Sequence, residues 1–461
     1  VPFGISTNIC EPTEFTPTEI SLNTELPERV INDEHIWWPV IINQGTYNSC
    51  VQCAEIAYTF TYEINRKRNL DAGDFEDEYP DRRYSQHYTY NQEVKGDDGG
   101  SDWHSGFCMI RDNGCPTYAD FKDLDVFGNP GPDTYTYWMT GDSKYINGMT
   151  NRISEIYQFT FGPSTEDLNF LKHWIADHGS GESSGGLAII GVAFHNHYTT
   201  KINQPGIYNN ESILTLGDSS QKHALTIVGY DDDFPVSATE FGAFRVANSW
   251  GSEGPLAWGT AGFAWLPYSD LVSTNNTSLE LKYAYTCDVE PTAENPINNP
   301  AIAISANIEH NHRNELTYYV GPGEISSTLP QSNMLFQTFS EQGNDESMRG
   351  TFYEGEPIDL AFNFSHFYQD DWINPFQRIF FNLNGIEGCQ TGNINTVKLI
   401  DHRWNEVFEI PFHEIDNSIG EGDNWSYIDY YLLTRPEHNF ITGVTNLNTN
   451  RISRFYTEVR A

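Results

Sequence analysis

One stretch constrains this chain more than any other: Asn43-Gln44-Gly45-Thr46-Tyr47-Asn48-Ser49-Cys50-Val51-Gln52-Cys53-Ala54. It leads into a run with helical spacing, in which Cys53, Ala54, Ala57, Tyr58 and Ile64 share a face and Thr61 interrupts the stripe. Ser49 suits a helix N-cap, so Cys50 falls in the first turn. A helix start carries partial positive charge and unbonded N–H groups, and both favour a thiolate over a thiol. The Cys50 pKa is therefore expected to be low. The Cys50 N–H is then a free donor, and the Gln44 side-chain amide supplies a second one for an oxyanion. Lys67 and Arg68 stand near the end of the run, where cations suit the helix dipole.

A lone cysteine is more often a buried structural residue than a nucleophile. Two later positions change that balance. His223 opens the strand-like run His-Ala-Leu-Thr-Ile-Val-Gly-Tyr, and Asn248 opens Asn-Ser-Trp-Gly directly after the strand-like Phe244-Arg245-Val246-Ala247. Alone, His223 reads as structural and Asn248 as a turn residue. Together, a cysteine, a histidine and an asparagine at the edges of ordered elements form a Cys-His-Asn arrangement.

With these residues the chain resembles the papain-like cysteine peptidases, in a bacterial secreted form. The matching blocks are Asn43-Gln44-Gly45, Ser49-Cys50, Asp98-Gly99-Gly100, Gly206-Ile207-Tyr208, His223-Ala224 through Gly229-Tyr230, and Asn248-Ser249-Trp250-Gly251. They follow the family's order over roughly the first two-thirds of the chain. The resemblance implies an α+β, two-lobe fold with a helical lobe and a β-barrel-like lobe. It implies Cys50 as nucleophile, His223 as base and acid, Asn248 as orienter of the imidazole and Gln44 as oxyanion donor. Gly99 and Gly100 would bind the substrate main chain, and Trp250 would shield the His223–Asn248 hydrogen bond. The sequence departs from the family at Val51, where tryptophan is usual, at Asn48, usually glycine, and at Tyr47, usually a disulfide cysteine. These changes bear on loop shape, disulfide framework and subsite walls, so specificity does not transfer.

Two other chemistries use the same cysteines. Cys50-Val51-Gln52-Cys53 is a C-x-x-C at a helix start, a redox motif only within a βαβ unit, which the preceding stretch lacks. A zinc site from Cys50, Cys53, Cys108 and Cys115 has poor spacing in its second pair. No metal and no cofactor are expected. The seven cysteines leave six besides Cys50, enough for up to three bridges, with the pairing open. A formal charge of −39 repels nucleic acid and anionic membranes. Glu76-Asp77-Glu78 and Asp231-Asp232-Asp233 read as solvated acidic faces, because they lack the ligand spacing and glycine of a calcium loop. No run of about 18 apolar residues exists, so no membrane insertion is expected.

Residues 1–36, with Pro2, Pro12, Pro17 and Pro27, read as an extended N-terminal arm. Residues 37–290 read as the peptidase domain. Within it Tyr84 to Asn91 is a short segment after the main helix, Gly106 to Asn113 a helix ending at Gly114, and Glu166 to His178 a helical piece. His223 lies 173 residues after Cys50 and Asn248 lies 198 after it. Both exceed the family's usual ~130–150, which places an insertion in 117–185. Strands are expected at Leu187 to Phe194, 223–230, 243–248 and 261–266, with closing segments at Pro267 to Leu271 and Leu281 to Tyr285. Residues 291–302 read as a linker, and 303–461 as an all-β, sandwich-like domain, with strands such as Ile358 to Phe362, Arg378 to Leu383 and Glu406 to Ile410.

The reading that follows is a secreted or cell-surface cysteine peptidase acting on peptide or protein substrates. The chain begins at Val1 without a charged-then-apolar leader, as a mature secreted protein does. The alternative is an inert papain-like scaffold whose C-terminal domain binds a surface ligand.

Overall fold

The computed structural model describes residues 10–74, 78–94, 98–122, 134–193, 199–203, 209–216, 222–253, 258–272, 279–289, 302–310, 316–324, 334–335, 357–363, 376–385, 393–401, 406–411, 426–431, 441–446 and 451–456. The expected block Gly206-Ile207-Tyr208 and nearly all of the linker 291–302 lie outside these residues.

Helices pack around a large mixed sheet, giving an α+β architecture. Its strands are β1 (Thr13–Glu14), β2 (Arg29–Ile31), β3 (Ile153–Thr160), β4 (Ala188–Ala193), β5 (Thr199–Asn203), β6 (Asn209–Leu214), β7 (Lys222–Pro235), β8 (Phe241–Ala247), β9 (Phe263–Pro267) and β10 (Leu279–Val289). They run in the order β1-β3-β10-β4-β7-β8-β9-β6-β5, with β2 pairing to β7 off this path. The β4 run is buried at every position, as a continuous apolar strand inside a sheet must be. The expected strands fall on β4, β7, β8 and β9. Of the closing segments, Leu281 to Tyr285 lies on β10, and Pro267 to Leu271 runs into a short helix, Tyr268–Val272.

Two short strands of the N-terminal segment join the large sheet. β1 pairs in parallel with β3, and β2 pairs antiparallel with β7. Phe15 sits in the core against Tyr157, Phe159 and Trp174. Ser21 is fully buried, and its hydroxyl reaches His173 Nδ1 at 2.9 Å and Asp177 at 2.8 Å. Short extended pieces between prolines are what an edge strand can use.

The main helix opens at Cys50 and continues to Arg68, with Lys67 and Arg68 in its last turn as expected. It is α-helical over Cys50–Gln52, π-helical over Cys53–Phe60 and α-helical again over Thr61–Arg68. The Thr61 hydroxyl donates to the Ile56 carbonyl at 2.9 Å, five residues back, at the point where the wide winding ends. Polar residues on this helix are buried as well as apolar ones, so each needs a partner. Glu63 pairs with Arg66 and His178, each at 3.1 Å. Burial opposes its charge, yet these two neighbours outweigh it and hold the carboxyl below its ordinary range. Asn69 closes the helix in the left-handed region at φ 51°.

Helices Gln86–Val94, Ser105–Asn113 and Asn169–Asp177 complete the surround. Gly114 ends the second of these at φ 76°, and a Cβ there would sit 2.2 Å from the Gly148 carbonyl. Glycine is required on both counts. A disulfide joins Cys10 to Cys108 on that helix. Cys50, Cys53, Cys115 and Cys287 are free, the last three buried, so one bridge is present among the described residues rather than three. Cys389 lies outside them.

Of the acidic run on β7 only Asp233 is exposed as a solvated face would be. Asp231 is buried and faces Arg29 at 3.4 Å. Asp232 accepts from Lys172 at 2.8 and 2.7 Å and from the Tyr268 hydroxyl at 2.7 Å. Alternation along a strand carries neighbouring carboxylates to opposite sides of the sheet, where separate cations meet them.

From residue 302 onward the described elements are strands. β11 (Ile302–Glu309), β12 (Leu316–Glu324), β13 (Met334–Leu335), β14 (Ile358–Asn363), β15 (Phe376–Gly385), β16 (Asn393–Asp401), β17 (Glu406–Pro411), β18 (Ser426–Tyr431), β19 (Ile441–Asn446) and β20 (Arg451–Tyr456) form two sheets. Their orders are β14-β11-β16-β17 and β13-β12-β15-β18-β19-β20. The first sheet is fastened to helix Asp142–Gly148, which lies in the long 117–185 segment. The Gly141 N–H donates to the Asp359 carbonyl at 3.1 Å, the Asp359 N–H to Thr140 Oγ1 at 3.0 Å, and Lys398 pairs with Asp142 at 2.8 Å.

Candidate active site

The fold brings the sequence candidates to one end of the large sheet. His223 lies at the start of β7, buried, opposite Val192 of β4. β8 runs antiparallel to β7 with Ala247 opposite Thr226, so Asn248, just past β8, returns to the His223 end. The two side chains meet there: His223 Nε2 and Asn248 Oδ1 are 2.8 Å apart.

The Ser249 N–H also donates to Asn248 Oδ1, at 2.7 Å. A backbone N–H can only donate, so this contact fixes which amide atom is oxygen. His223 Nε2 must then carry the proton and donate to Asn248. In the neutral ring the remaining nitrogen, Nδ1, is the basic one. The Trp250 ring stands over the imidazole with centroids 4.7 Å apart.

Cys50 opens the main helix and is partly exposed. Burial pushes its thiol pKa up, against the direction expected from the helix start. The backbone N–H groups of Ala224, Val51 and Cys50 itself pull it down by less. Ala224 follows His223 directly, so the strand that carries the imidazole also points a donor at the sulfur. Ser49 holds the N-cap position without a capping hydrogen bond. Its hydroxyl instead lies 3.7 Å from Cys53 Sγ.

Gln44 is held from both sides. Ser249 Oγ donates to its Oε1, and its Nε2 donates to the Tyr47 carbonyl at 2.7 Å. One hydrogen of the amide NH2 is therefore used and the second remains. The main chains of the two loops are also laddered: the Gln44 N–H donates to the Ser249 carbonyl at 2.8 Å and the Gly251 N–H to the Ile42 carbonyl at 2.9 Å.

Gly99 and Gly100 lie beside the loop that precedes Cys50. The Asn48 N–H donates to Asp98 Oδ1 at 2.9 Å, and Asn48 Nδ2 donates to the Asp98 carbonyl at 2.7 Å. Gly100 adopts φ 94° next to the Asn48 carbonyl. Asn48, one of the departures from the expected pattern, is thus the residue that ties the two segments together. Tyr47, another departure, sets its ring edge-on to Tyr135 at 5.6 Å.

Several positioning residues were not singled out from the sequence. Tyr58 was read as part of the apolar stripe, yet its hydroxyl accepts from the Ile42 N–H at 3.0 Å and donates to the Asn248 carbonyl at 3.1 Å. A tyrosine within a buried stripe needs a partner for its hydroxyl, and that was the available signal. Glu93 accepts from Gln52 Nε2 at 3.0 Å, Ser105 Oγ at 2.7 Å and the Asp102 N–H at 2.7 Å, joining the main helix to the segment after Gly100. Burial first, and Asp102 further, lift its carboxyl to about 7 against hydrogen bonds that oppose the shift. Cys108 is bridged to Cys10, which removes it from the zinc set considered above.

No family model matches the chain, and no curated protein matches it. Among solved structures it is similar to proCathepsin B S9 from Trypanosoma congolense, at 13% identity and a TM-score of 0.40, over 61% of this chain and 84% of that one. It is similar to the proform of the ragweed pollen allergen Amb a 11 cysteine protease at 16% identity and a TM-score of 0.34, over 59% and 68% of the two chains. SERA5E from Plasmodium falciparum gives 15% identity and a TM-score of 0.36, over 59% and 100%.

Proposed function

We propose that the chain is a papain-like cysteine peptidase. The observation that carries this reading is the His223–Asn248 pair, whose tautomer leaves Nδ1 as the basic nitrogen, on the strand whose next N–H reaches Cys50. In the proposed cycle His223 takes the Cys50 proton and the thiolate attacks a peptide carbonyl. Gln44 Nε2 and the Cys50 N–H stabilise the oxyanion. His223 then gives its proton to the leaving amine, and water hydrolyses the thioester with His223 again as base. Asn248 orients the ring, Trp250 covers it, and Gly99-Gly100 offers main-chain groups to an extended substrate. No metal or cofactor enters this scheme.

Residues 37–290 form the peptidase unit in this proposal, with the N-terminal segment built into it. Residues 303–461 form a β-sandwich-like module with a surface ligand of its own. The Cys10–Cys108 bridge supports a secreted or cell-surface setting, where disulfides persist. A second reading, an inert scaffold, is favoured by the upward pull of burial on the Cys50 thiol. An epoxysuccinyl thiol reagent at mildly acidic pH, followed by peptide mass spectrometry with Cys50→Ala as control, separates the two. Selective modification of Cys50 and cleavage of a peptide library support the peptidase. A folded, reduced protein that neither labels nor cleaves is the scaffold.

A further inference from the structure

We propose that Asp98 selects a cationic side chain, lysine or arginine, on the substrate residue bound beside Cys50. The inference rests on the peptidase reading and names the substrate class it would take. Asp98 is partly exposed and hangs on the nucleophile loop by its Oδ1, which accepts from the Asn48 N–H at 2.9 Å. Tyr90 donates its hydroxyl to the same oxygen. Asn48 is two residues from Cys50, so the carboxylate stands within about 10 Å of the nucleophile's backbone, given 3.8 Å per residue. Tyr90 corroborates the closeness: its phenol pKa is raised first by burial, then by Asp98, and also by Cys50.

The other carboxylate oxygen, Oδ2, has no hydrogen-bond or ion-pair partner among the described residues. Both donors converge on Oδ1 and fix the group's orientation, which lowers the cost of holding it for a ligand. Gly99 and Gly100 follow directly, so a peptide running along them passes the carboxylate with one of its side chains. Lysine and arginine are long enough to bridge from the main chain to it, and arginine can add a charge-assisted hydrogen bond. The chain's formal charge of −39 favours approach of cationic peptides and disfavours acidic ones.

The test compares peptides that carry arginine or its neutral isostere citrulline at the cleaved residue. In the unaltered protein kcat/KM favours arginine by about tenfold, as expected for a partly exposed charge-assisted contact. Asp98→Asn keeps an oxygen for Asn48 and Tyr90 while removing the charge, and brings the preference below about threefold. Calorimetric binding of the same two peptides to the Cys50→Ala protein reads the selection without catalysis. A preference for arginine there that Asp98→Asn abolishes upholds the assignment. Equal handling of arginine and citrulline, or a preference that survives in Asp98→Asn, overturns it and leaves Asp98 as a loop clamp only. Absent labelling of Cys50 is a separate result and bears on the peptidase reading instead.

Discussion

Replacing Tyr58 by phenylalanine isolates what one hydroxyl does for the whole site. The ring stays, and with it the stack on Trp38 at 5.1 Å. What is lost is a pair of hydrogen bonds, from the Ile42 N–H at 3.0 Å and to the Asn248 carbonyl at 3.1 Å. Tyr58 is 1% exposed, so water cannot replace the hydroxyl without opening the packing. Each stranded main-chain group costs about 1–3 kcal/mol, and part of this is regained because the buried hydroxyl is gone. A net loss of about 2–4 kcal/mol is expected. Because both groups belong to loops, local opening should bear most of it, and the Ile42 amide should exchange about 30- to 700-fold faster at ~1.4 kcal/mol per tenfold. Hydrogen exchange read by mass spectrometry over 38–44 and 246–252, beside a urea unfolding curve, measures this. In the proposed peptidase the loops carry Gln44 and Asn248, so kcat/KM should fall with them. Unchanged exchange at Ile42 and a stability within 0.5 kcal/mol of the parent, on the usual scale for neutral surface changes, would refute the assignment of Tyr58 as the tie.

Two further expectations concern other parts of the molecule. Glu93 has a folded pKa of about 7, above the ordinary 4.5. Its contribution to stability is therefore full below pH ~4.5 and lost as pH rises through about 7. The gap corresponds to about 3 kcal/mol at most, and the residue's partial exposure brings this to about 1–3 kcal/mol. Urea unfolding from pH 4.5 to 8 should show a slope that Glu93→Gln flattens, and matched slopes would remove Glu93 from the account. The Cys10–Cys108 bridge closes a loop of 98 residues. Replacing both cysteines by serine should cost about 2–5 kcal/mol in the same assay, and a loss below 1 kcal/mol would mean that the unbridged chain already holds its N-terminus.

Much of the candidate site was legible because the proposed chemistry uses short blocks. Cys50 at a helix start, His223 at the head of an apolar strand and Asn248 at the end of the next one need only local pattern and chain order. What the sequence hid is mostly long-range. β1, at Thr13–Glu14, is too short to show a period, and it exists because β3 offers an edge 144 residues away. The strand β3, Ile153–Thr160, buries every third residue rather than every second, so it shows no strand period within the segment expected to carry the insertion. The acidic run at Asp231-Asp232-Asp233 looked solvated because Arg29 and Lys172, which answer it, are distant in sequence. The Cys50 thiol pKa runs against the helix-start expectation for a related reason. The helix start was visible, while the strand and side chains that bury the thiol were not. Tyr58 and Asn48 share the lesson: each looks ordinary in its own segment, and its partner is carried on another.

The threading of the N-terminus through the large sheet also sets an order in time. Val30 of β2 is paired with Tyr230 of β7, and β10 is the neighbour of both β3 and β4. During synthesis these partners emerge long after the first residues. Holding such distant segments together costs about 5 kcal/mol of loop closure for ~200 residues before their contacts repay it. Cys10 and Cys108 are available earlier, and once linked they tether the beginning of the chain near the helix it packs on. A nascent chain stalled short of Val289 lacks the strand that joins β3 to the rest of the sheet, so its first residues wait in place for the last.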